Sequence, residues 1–162
     1  MMQMVVVFRP FFAWLQTTRI AATVAESTML TAALSSIHLI GFTLLMGSVL
    51  VANLRLLGVL FPQRPLLKVT GPAGRGIALG LVVSVGTGLL LFTARASAAI
   101  ENPTFQVKML LLVTAAVFHF ALQRKVIRRA PSALRLLRVT GALGLALWVG
   151  VALAGCAFIL LE

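Results

Sequence analysis

Apolar positions in this chain run in long unbroken stretches. Residues 29–52, 76–94, 105–122 and 139–161 are almost wholly apolar, and besides Cys156 they hold three ionisable side chains: His38, Lys108 and His119. About 18 or more consecutive apolar residues cross the hydrocarbon core of a bilayer as a helix. Lipid offers the backbone no outside hydrogen-bond partner, so each stretch is expected to be helical throughout. The pattern predicts an all-α membrane protein, a four-transmembrane-helix bundle over residues 29–162.

Residues 1–28 read differently. Phe8, Phe11, Phe12, Trp14, Leu15 and Ile20 alternate with Arg9, Gln16, Thr17 and Arg19 over 8–25. Aromatics on one side and polar groups on the other predict an amphipathic helix lying at the membrane interface. Met1–Val7 has no basic opening and no small-residue cleavage pattern follows, so this segment is expected to be retained. Punctuation agrees with the spans. Asn102-Pro103 places a capping residue before a proline at the first helical position. Gly71-Pro72-Ala73-Gly74 is expected to interrupt the chain before the second span. Pro131 should limit the preceding helix, with Ser132 available to cap the next.

Charge adds an orientation. The net charge is +11, and Arg55, Arg64, Lys68, Arg75 and Arg124, Lys125, Arg128, Arg129, Arg135, Arg138 fall in the segments 53–75 and 123–138. The other side has Arg95 and Glu101 between spans, and Glu162 at the end. The positive-inside rule then makes the basic segments cytoplasmic and both termini external. That distribution serves topology and disfavours nucleic acid as a partner; membrane lipids are the expected contact.

Helices in lipid associate through small residues and a few polar contacts. Gly76, Gly80, Ser84 and Gly88 form a four-step stripe on the second span, and Ala142, Ala146, Gly150 and Ala154 form another on the fourth. His38, Gly41, Ser48 and Ala52 share a face of the first. These faces favour a compact bundle, and a homodimer or larger membrane complex is compatible with them. Cys156, beside Gly155 and Ala157, reads as a small buried packing residue.

Chemistry is sparse. The acids are Glu26, Glu101 and Glu162, all at span edges. Neither a phosphate loop nor a nucleophile triad can be assembled, and no metal-spaced cluster occurs, so no catalytic residues are assigned and an enzyme is not expected. His38 is the most informative position, because an ionisable group within a span usually faces the bundle interior. It can bond to Ser35, Thr43 or Ser84, or hold a ligand. Lys108 is expected to snorkel toward Glu101, and His119 to be solvated near the cytoplasmic boundary. Two intramembrane histidines also raise haem b ligation by His38 and His119. Counted from the apolar edges they differ in depth by roughly 7 Å at ~1.5 Å per residue, so the pair needs a tilt or register shift.

The stretch His38-Leu39-Ile40-Gly41, continued through Gly47-Ser48 to Asn53-Leu54-Arg55-Leu56-Leu57-Gly58, resembles a family of small bacterial inner-membrane proteins with no assigned function. Phe11-Phe12-Ala13-Trp14-Leu15, Glu26-Ser27, Asn102-Pro103-Thr104-Phe105 with Lys108, and Gly141 to Gly155 are similar too. The resemblance covers nearly the whole chain. Ser35 and Asn53 stand where it leads one to expect acids, so proton or cation chemistry carried by those acids would be missing here. A more distant likeness to copper-resistance membrane proteins rests on the first-helix histidine and the lysine-led third span. The leading reading is a non-catalytic accessory or scaffold subunit without a cofactor. Its alternatives are a haem b redox protein and a small proton-linked transporter or channel.

Overall fold

The computed structural model describes residues 2–129 and 132–160, and all its regular structure is helical. Two short helices come first, α1 (Met2–Gln16) and α2 (Arg19–Glu26). Four long ones follow: α3 (Thr28–Leu57), α4 (Leu66–Ala94), the continuous helix Pro103–Arg129, and α8 (Leu134–Leu160). The third of these comprises α6 (Pro103–Val117), a π-helical segment (Phe118–Gln123) and α7 (Arg124–Arg129); the short α5 (Ala96–Glu101) precedes it. All four long helices are long and apolar enough to cross a membrane.

Local chemistry sets most of the ends. Ser27 accepts the Leu30 N–H at 3.2 Å and opens α3. Gly58 closes it in the left-handed region (φ 82°), where lacking a Cβ removes the steric penalty. Asn102 Oδ1 accepts the Thr104 N–H at 2.9 Å, with Pro103 at the first helical position of α6. Pro131 and Glu162 lie outside the described residues.

Two expectations about elements are corrected. Gly71-Pro72-Ala73-Gly74 does not break the chain, because α4 already begins at Leu66 and runs through Pro72. Val69, Thr70, Ala73 and Ile77 are buried, so packing of that face outweighs the one backbone hydrogen bond that proline removes. The segment 8–25 is two helices, broken where Thr18 caps α2 by accepting from the Ala21 N–H.

Close backbone approach joins α3 to α4 most extensively, then α6 to α8 and α3 to α8. Glycine permits the first pairing. A Cβ on Gly80 would sit 2.5 Å from the Leu45 nitrogen and 2.7 Å from the Gly41 carbonyl oxygen. The stripe on the second span is therefore a contact face against α3. The stripe on the fourth is so only in part: Gly150 packs against Leu111 of α6, but Ala142 and Ala146 are exposed, whereas Gly141, Gly144, Trp148 and Val151 are buried. Both sets recur at helical spacing, and the bulk of Trp148 decides which one turns inward. Cys156 is exposed on α8, contrary to the expected packing role.

One core is shared by the four long helices: Leu45, Val49, Ala73, Ile77, Ala115, Trp148 and Val151. At the end opposite the basic segments, Phe12 meets Phe92 edge-on, Phe92 stacks on Phe105 at 5.4 Å, and Phe105 contacts Phe158. Gln16 accepts from the Ser97 hydroxyl at 2.6 Å, and Arg9 pairs with Glu101. These contacts tie α1 across the ends of α4, α5, α6 and α8.

Candidate functional site: two polar layers across an apolar core

Asn53 lies on the buried face of α3, close to its C-terminal end, and fixes the first polar layer. Its Nδ2 donates to the Val49 carbonyl at 2.8 Å, which leaves Oδ1 as the acceptor. Gln123 Nε2 donates to that Oδ1 at 2.7 Å and to the Thr140 carbonyl at 3.2 Å. Gln123 Oε1 must then accept, so His119 Nδ1, 2.7 Å away, carries a hydrogen. The three amide and imidazole groups form a chain with one direction, His119 to Gln123 to Asn53 to the Val49 carbonyl. It joins α3, the π-helical segment and α8. Asn53, Gln123 and His119 are all buried.

Two local features make room for this chain. Gly144 presses against it, and a Cβ there would stand 2.5 Å from Asn53 Oδ1 and 2.8 Å from Gln123 Nε2. The π-helical turn supplies the other. Arg124 N–H bonds to the His119 carbonyl five residues back, a wider turn than the α-helix makes and one frequent at functional sites. His119 Nε2 and Trp148 Nε1 are buried with no hydrogen-bond partner among the described residues. Each lies one helical turn from the Gly144–Gln123 contact toward the aromatic end, so they occupy the same depth.

The second layer is centred on His38. Its Nδ1 donates to the Ser84 carbonyl at 2.9 Å and lies 3.2 Å from the Thr87 hydroxyl. Gly88 lets the ring approach α4, since a Cβ there would be 3.1 Å from its Cε1. Lys108 stands fifteen residues before Gln123, as His38 stands fifteen before Asn53, so both share a depth. Lys108 does not extend to Glu101, which is taken by Arg9. Its stem passes Gly155 and its Nζ lies 5.8 Å from the centre of the Phe158 ring. Ser35 is half-buried a turn before His38 and takes no part in its Nδ1 contacts. Thr43 donates to its own helix, at Leu39.

The structure does not bring the two histidines together. Fifteen residues separate His38 from the level of Gln123, and His119 is one turn above it, so their depths differ by ~16 Å at ~1.5 Å rise per residue. Apolar edges gave a smaller figure because α3 and the third long helix do not begin at a common plane. His119 is also buried, at 3% exposure, and not solvated. Its i+4 neighbour Gln123 takes up its polar atom. Gln123, Thr140 and Thr87 are the residues that sequence reasoning missed. The spacing of four from His119 to Gln123 was the available signal, masked by the adjacent Arg124. Among the described residues no three His, Cys, Asp or Glu side chains gather to hold a metal ion.

No curated protein and no solved structure matches this chain. A family model does match, over residues 11–160, and it covers the aromatic end of α1 from Phe11, both polar layers and the basic segments. The chain therefore belongs to the family of unknown function DUF6644.

Proposed function

We propose that this protein is a non-catalytic accessory or scaffold subunit of the bacterial inner membrane, built as a four-span bundle with α1 and α2 lying at the outer interface. The observation that carries the reading is how the polar groups within the spans are used. Asn53, Gln123 and His119 are turned onto one another and onto backbone carbonyls, and His38 is turned onto Ser84. Such contacts lock helix register, which is what polar residues commonly do between helices in lipid. The outward faces are left apolar, among them the small-residue positions Ala142 and Ala146 of α8. A second copy or another membrane subunit can approach closely there. Basic segments at one end and the aromatic cluster at the other support an orientation with the termini outside.

Site-specific photocrosslinking from Ala142 and Ala146 in intact cells tests the subunit role. Discrete adducts from these positions, absent from the buried Gly144 face, are expected. A ladder of lipid adducts alone, in cells making the protein at native level, would count against a partner on this face.

A second reading, proton-linked transport, draws on the directional hydrogen-bond chain and the unpartnered His119 Nε2. Proton flux in proteoliposomes that falls in His119→Gln would favour it; absence of flux leaves the scaffold reading. Haem b binding would have to use His38 without His119. An absorbance spectrum with a Soret band lost in His38→Ala is the result that would establish it.

A further inference from the structure

The third long helix has two opposite faces at its basic end. Gln123 and Ile127 are buried against the bundle, while Ala121, Arg124, Lys125, Arg128 and Arg129 are exposed on the other side. Phe120, Ala121 and these four cations line a groove of about 290 Å³. The Arg124 guanidinium stands over the Phe120 ring, 5.7 Å from its centre, which holds one wall of the groove.

The groove continues into an apolar track on the same helix. Val113, Val117, Ala121, Lys125 and Arg129 follow one another at steps of four, so they form a single row. Val113 and Val117 are more than half exposed, as is Leu110 one turn further out. From Ala121 to Leu110 the track runs ~16 Å at ~1.5 Å per residue, the scale of one leaflet of a bilayer ~30 Å thick. Nothing within the described fold neutralises the cations. The described carboxylates are Glu26 and Glu101, at the opposite end, and Glu101 is paired with Arg9.

We propose that this face is a binding site for an anionic phospholipid of the inner leaflet. Arg124, Lys125, Arg128 and Arg129 take the headgroup phosphate, and an acyl chain lies along Ala121, Val117, Val113 and Leu110. Charge complementarity selects an anionic headgroup over a zwitterionic one, and the apolar track selects a lipid over a soluble anion. Arginine suits the task because its planar fork pairs with two phosphate oxygens at once. This site rests on the membrane orientation proposed above.

Native mass spectrometry of the full chain in detergent, titrated with phosphatidylglycerol, phosphatidylcholine or inorganic phosphate, tests the proposal. Phosphatidylglycerol adducts should predominate, and millimolar phosphate should not displace them. In Arg124→Gln/Arg128→Gln the affinity should fall about thirtyfold, two near-surface charges being removed. Arg135→Gln/Arg138→Gln removes the same net charge from the same end and should change it less than threefold. Equal loss in both variants, equal binding of phosphatidylcholine, or displacement by phosphate would each overturn the site. Carbonate extraction of membranes carrying each variant separates the two readings. Protein that stays in the pellet while adducts behave wrongly refutes the lipid site alone, and protein released to the supernatant refutes membrane insertion.

Discussion

Asn53 and Gln123 show how far one side chain decides the state of another. With Asn53 held by the Val49 carbonyl, every later group in the chain has a fixed donor or acceptor role, ending at His119. Replacing Asn53 by Leu strands one Gln123 donor in an apolar interior, and an unsatisfied buried group costs about 1–3 kcal/mol. Replacing Gln123 by Leu as well removes the stranded group, so the double variant should lose less than the sum of the singles. A coupling of about 0.5–2 kcal/mol is expected, read from reversible unfolding of the four proteins in mixed micelles. Additive losses would show that the two amides do not meet. This part of the site was only half legible beforehand. Asn53 and His119 stood out as polar residues in or beside apolar stretches. Gln123 did not, because one residue further on Arg124 begins a basic run and the stretch reads as already outside the span.

Elements were more readable than their faces. Span existence follows from length and hydropathy, and those signals survive any detail of packing. Which face of a helix meets its neighbour depends on competition among residues that all recur at helical spacing. On α4 the small residues won, since Gly80 and Gly41 allow α3 and α4 to touch backbone to backbone. On α8 the row holding Trp148 won, and Ala142 and Ala146 were left outside. The π-helical turn is a further consequence of packing that no local sequence cue announces. Gly80→Ala tests the argument for α4. Its new methyl would meet backbone atoms of α3, which cannot move aside as a flexible side chain would, so a loss of about 1–3 kcal/mol is expected. Gly86→Ala on the same helix meets nothing within 4 Å and should be neutral or slightly stabilising. Thermal unfolding in detergent compares them directly, and equal stability of the two variants would refute the close approach.

At the scale of the molecule, the two polar layers, the aromatic cluster and the basic segments are ordered along one axis. The aromatic end gathers Phe12, Phe92, Phe105 and Phe158, and the opposite end carries the groove of Arg124, Lys125, Arg128 and Arg129. Between them lies the aliphatic core of Leu45, Val49, Ile77 and Val151, with no charge of its own. In the proposed orientation a bilayer would impose this order, because translocating a cluster of cations is opposed while aromatics favour the headgroup boundary. The single native thiol makes the consequence measurable. In a Cys156→Ser background, Ala98→Cys places an exposed thiol in α5 at the aromatic end, and Ser132→Cys places one between α7 and α8 at the basic end. A membrane-impermeant maleimide applied to spheroplasts should label Ala98→Cys at once and Ser132→Cys only after the membrane is opened. The reverse pattern would invert the molecule and move the proposed lipid groove to the outer leaflet. Labelling of both without permeabilisation would instead mean that the four apolar helices do not form a sealed span, because the two positions sit at opposite ends of the same bundle.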